Sequence, residues 1–154
     1  LQARECWRVA HETYPGDILA QAYYGSALAL SARDAVEPEQ IFRTTYHGLN
    51  LLNEAVELEP DDMEIRMLRA FVLNALPSPF FPSRLAKDDF QVLKEAYERD
   101  NSVFSQEQYE RIVQALEAAQ EREGNPLSGM EVRVNPLVKQ WLVGKVIRNE
   151  GDPR

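Results

Sequence analysis

One helix ending is written twice in this chain. Trp7, Ala10 and Pro15 repeat, 45 residues later, as Leu52, Ala55 and Pro60. Each time a bulky apolar residue is followed three later by Ala, and five after that by a Pro in an acidic turn. Residues three apart share a helix face, so the pattern describes a helix that another helix approaches closely. The Pro stops it, and Asp17 in one case, Asp61-Asp62 in the other, can cap the next helix. Helix pairs of this size cannot bury their apolar stripes alone, so they stack into one continuous core.

The rest of the chain reads the same way. Spacing predicts a helix over residues 2–14, with Ala3, Trp7, Ala10 and Tyr14 on one face, and another over 18–34, dense in small residues around Gly25. Gly in a helix interior costs about 1 kcal/mol relative to Ala, so close packing is the reason to place one there. Further helices are predicted over 39–58, entered at Pro38, and over 63–76 and 84–99. Ser105 with Gln108 forms a capping box for a helix through Ala119, and Gly124-Asn125-Pro126 ends it. Asn135-Pro136 opens a last short helix to Arg148, with Leu137, Val138, Trp141, Leu142 and Ile147 apolar. No long stretch alternates at period two, so the fold class is all-α. The expected organisation is a helical repeat domain over 1–123 and a C-terminal extension over 124–154 with one short helix.

Charge and composition exclude some partners. The 154 residues carry a formal net charge of −8, with 44 % apolar residues. An acidic chain lacks the clustered Lys and Arg that displace counterions from nucleic acid, and it is poorly matched to an anionic membrane surface. No apolar run reaches the length of a membrane span. Cys6 is the single cysteine, which fits a reducing compartment. That favours the cytoplasm. The chain opens at Leu1 inside a helical pattern, as a fragment would, so the periplasm stays open.

These residues resemble tetratricopeptide repeats of a divergent bacterial type. Trp7, Ala10 and Pro15 stand at second-helix positions of one repeat. Tyr24, Gly25 and Leu28 stand at first-helix positions of the next, and Gly48, Leu52, Ala55 and Pro60 complete it. A third unit runs through Ala70 and Leu73 to Leu93 and Ala96, closing at Asn101 rather than Pro. Gly25 and Gly48 are 11 residues further apart than the family spacing, and Ala70 and Asp89 are 7 further, both at the turn inside a repeat. Gln21 and Arg66 stand where a large residue is usual, Arg69 where Leu is, and Asp89 where a small residue is. The resemblance implies a short right-handed solenoid of antiparallel helix pairs. It also implies a groove, formed by the first helices, that holds a peptide or helix of a partner protein.

The candidate site residues have competing readings. Arg66 and Arg69, one turn apart, form either an inward ion-pair network with Asp34 or Asp89, or a surface that grips a partner's carboxylate. Phe80 and Phe81 in PSPFFPS are either a plug on the helices or a partner hot spot. The last helix can cap the stack or bind a second copy as a homodimer. His11 and His47 are expected on helix surfaces, and Cys6 as a buried or half-buried structural residue. Glu57, Glu59, Asp61, Asp62 and Glu64 read as a solvated turn with caps. No phosphate loop, metal-ligand spacing or nucleophile–base pair stands out. The expectation is a non-catalytic protein-interaction scaffold without a cofactor. The alternative is a helical accessory or sensor region of a larger enzyme or secretion assembly.

Overall fold

A computed structural model describes residues 2–31, 37–76 and 83–124. Its six helices are α1 (Gln2–Thr13), α2 (Ile18–Ser31), α3 (Pro38–Leu58), α4 (Met63–Ala75), α5 (Ser83–Arg99) and α6 (Gln106–Gly124), and the described residues include no strand. Asp34, Phe80, Phe81 and the predicted helix at 135–148 lie outside the described residues, as does nearly all of the 124–154 extension.

The helix entries follow from local chemistry. Asp17 Oδ1 accepts from the Ala20 N–H at 2.9 Å. Asp62, rather than Asp61, caps α4 by accepting from Glu64 N and Ile65 N. Pro38 takes the first position of α3. The capping box closes in both directions: Ser105 N donates to Gln108 Oε1 at 2.8 Å, and Gln108 N to Ser105 Oγ at 3.2 Å.

The tightest junction is α2 on α3. A Cβ built on Gly25 would sit 2.7 Å from the Gly48 carbonyl oxygen and 3.0 Å from Leu51 Cβ. One built on Gly48 would sit 2.6 Å from Ala29 N and also meet the Gly25 carbonyl. The two backbones therefore touch, and neither position accepts a side chain. Gln21, buried beside this contact, donates from Nε2 to the Leu51 carbonyl at 3.2 Å and to Glu54 Oε2 at 3.0 Å. It is a polar tie across the α2–α3 contact.

The remaining neighbours are α1 on α2, α2 on α4, α3 on α4, α4 on α5 and α5 on α6. One core runs through α2 to α6, with Leu52, Ile65, Phe90, Leu93 and Ile112 fully buried. Trp7 of α1 stacks on Tyr23 of α2, with ring centroids 4.4 Å apart. Part of the long Gly25-to-Gly48 spacing is helix rather than loop, because α3 begins ten residues before Gly48.

Three expectations are corrected on α1. Cys6 is exposed, because the helix turns Trp7 inward and carries Cys6 round to solvent. His11 is half-buried rather than on the surface: its ring stacks on Tyr24, 5.7 Å between centroids, and Nδ1 is buried without a hydrogen-bond partner. Ala3 and Tyr14 are exposed, and the half-buried residues on the inner side include Trp7, Ala10 and His11.

Candidate functional site: an apolar groove on alternate helices

Among the described residues, two arrangements bear on binding. The first is the arginine pair. Asp89 of α5 is 1 % exposed and accepts from both Arg66 and Arg69 of α4. Arg69 grips it bidentately, Nε to Oδ2 at 2.7 Å and Nη2 to Oδ1 at 2.8 Å, while its Nη1 reaches Asn53 Oδ1 of α3 at 3.3 Å. Arg66 adds Nη1 to Asp89 Oδ1 at 2.9 Å and Nη2 to the Pro60 carbonyl at 2.8 Å. The Arg66 Nε is buried without a partner. A buried carboxylate must be paired to be tolerated, and two guanidiniums do that here. The network ties α3, α4 and α5 together. Each Arg69 nitrogen donates one hydrogen bond inside the protein, and the side chain is only 9 % exposed.

The second arrangement is a groove with a cavity volume of about 350 Å³, inside the usual range for ligand pockets. Its floor comes from α4: Met67 and Phe71 form one i,i+4 pair, and Leu68, Val72 and Ala75 form the stripe beside it. One wall is Ser26 and Leu30 of α2, and the other is Gln108 and Arg111 of α6. The three helices are every second one in the chain. Small residues at Ser26 and Ala75 leave the hollow open. Phe71 is steadied by an edge-to-face contact with Phe90, 5.1 Å between centroids. The Arg111 guanidinium lies 5.3 Å from the Phe71 ring centroid, a cation–π contact. No carboxylate among the described residues pairs with it.

At the neighbouring α2–α4 contact the Tyr23 hydroxyl donates to Glu64. The hydrogen bond to that carboxylate, with burial, pushes the Tyr23 phenol up to about 12.

The sequence reading named Arg66 and Arg69, which the fold joins through Asp89, and it missed Met67, Phe71, Gln108 and Arg111. A signal existed: residues 63–76 are apolar on a second face through Met67 and Phe71. A helix apolar beyond one stripe is buried on two sides or keeps a face for something else.

Family models, curated proteins and solved structures were compared with the chain, and none matches it. Among the described residues no helix is long and apolar enough to cross a membrane.

Proposed function

We propose that this protein is a non-catalytic, tetratricopeptide-like interaction scaffold that holds a peptide or helix of a partner protein in the α2–α4–α6 groove. The observation that carries the reading is the alternation: the groove is lined by every second helix, as a stack of helix pairs with its first helices on the inner side would be. The neighbour pattern supports it as well. Helix α4 packs on both α2 and α3, which is how a new pair seats in the cleft of the preceding one. An apolar floor with one cation and one amide at the rim suits an apolar peptide face that carries a few polar groups. The formal charge of −8 speaks against nucleic acid as the partner.

A displayed library of random peptides, selected on the full chain, tests the proposal. Selected peptides should bind the native chain and lose at least tenfold in affinity on Met67→Glu, which places a charge in the apolar floor. Glu95→Lys, on the exposed side of α5, should leave their affinity unchanged. Peptides that bind both variants equally, or a selection that yields none, would overturn the groove as the binding surface.

A further inference from the structure

The polar groups of the α2–α4–α6 groove are gathered on one wall. Gln108 and Arg111 stand one turn apart on α6, and the lining contains no Asp or Glu. Gln108 turns its oxygen to the start of the helix, where Oε1 accepts from Ser105 N at 2.8 Å. That leaves Nε2 as the uncommitted end of its amide. The Arg111 guanidinium lies over the Phe71 ring. Among the described residues no carboxylate pairs with it, and Glu110, its neighbour on α6, accepts from Gln106 instead. We propose that the element seated in the groove is a partner's amphipathic helix with one Asp or Glu midway along its apolar face, whose carboxylate is held by Arg111 and Gln108 Nε2. The inference rests on reading that groove as a binding surface.

Three observations point to this occupant. The first is charge complementarity. Arg111 is a donor-only group, and the planar fork of a guanidinium matches a carboxylate. A Lys or Arg brought to this wall would meet a like charge and find no acid in the lining. The second is position. The floor runs from Met67 to Ala75, about 12 Å along α4 at 1.5 Å per residue, or roughly two helical turns. Phe71, with Arg111 over it, is four residues from either end. The acid that pairs there has apolar floor on both sides of it, so it belongs to a side chain inside the segment and not to a chain end. The third is backbone chemistry. The floor offers Met67, Leu68, Phe71, Val72 and Ala75 side chains, none of which can satisfy the N–H and C=O groups of an extended peptide. A helix satisfies its own and presents only side chains to the groove. The formal charge of −8 on the whole chain works against a run of acids, so a single carboxylate at this cation is the chemistry that fits.

Peptides selected from the displayed library on the full chain are the probes, synthesised with amidated and with free C-termini. Their sequences should share one Asp or Glu among apolar residues at helical spacing. Replacing that acid by its amide should weaken binding roughly tenfold, the loss of one charge-assisted contact, whichever C-terminus is present. Arg111→Gln should erase the difference between the acidic and the amide peptide, and Arg111→Glu should make a Lys-substituted peptide the better binder. Gln108→Glu keeps an oxygen for the capping box but sets a carboxylate one turn from Arg111. It should cost the acidic peptide at least tenfold in affinity and leave the melting temperature unchanged. Acidic and amide peptides that bind alike would overturn the proposal, as would a preference for acid that survives Arg111→Glu. So would binding that needs a free C-terminal carboxylate, or a phosphoserine peptide that binds more tightly than the acidic one. If peptides bind and lose affinity on Met67→Glu while the acid makes no difference, this inference fails and the scaffold reading stands. If no peptide binds the groove, the scaffold reading fails with it.

Discussion

Gly48 and Asp89 show what single residues decide in this fold. A methyl group at Gly48 would meet the Gly25 carbonyl and Ala29 N, both backbone atoms that cannot swing away. Gly48→Ala should therefore destabilise the protein by about 1–3 kcal/mol, although Ala is the better helix former. A thermal melt that holds or rises would show that the helices can separate at no cost. Asp89 works by charge: Asp89→Ala leaves two guanidiniums in the stack without their carboxylate, and the expected loss is about 3–5 kcal/mol by chemical denaturation. A loss below 1 kcal/mol would mean that water reaches both arginines. Tyr23 offers a reading by pH. Its phenol is raised in the fold, so the folded state favours the neutral form. The stabilisation is complete below the ordinary phenol value near 10 and is lost as pH climbs toward about 12. In an absorbance titration one tyrosine should ionise late, and Glu64→Ala should bring it back to the ordinary range. A titration unchanged by that substitution would remove the Tyr23–Glu64 contact from the account.

At the scale of elements, the helices were legible because stop and start signals are local. Pro15, Pro60, Asp17, Asp62 and the Ser105–Gln108 pair act on neighbouring backbone groups, and each performs its expected role. The capping box invites measurement: Ser105→Ala should cost about 1 kcal/mol and increase hydrogen exchange in the first turn of α6 ahead of its last turns. Uniform exchange along α6 would deny the cap a local role. What the sequence hid was tertiary. The spacing of Cys6 on α1 does not say which of its flanks stays in solvent. The extra residues before Gly48 looked like an inserted turn, yet a continuous helical pattern from Pro38 lets α3 extend instead.

For the whole molecule, the arginines stood out because charge at an inward register demands a partner, and Asp89 supplied one. The groove did not stand out, because it belongs to no single element. It exists where α2, α4 and α6 leave space between them, and no window of sequence contains all three. Phe71 is apolar like any core residue, and only the fold shows that its ring faces a hollow with Arg111 above it. The central claim is that a partner is held on alternate helices. An amide chemical-shift map of the full chain, recorded as a selected peptide is added, tests it most directly. Perturbations should concentrate at residues 26–30, 67–75 and 108–111, with the exposed sides of α3 and α5 unmoved. Perturbations centred on α3 and α5, with 67–75 silent, would contradict it.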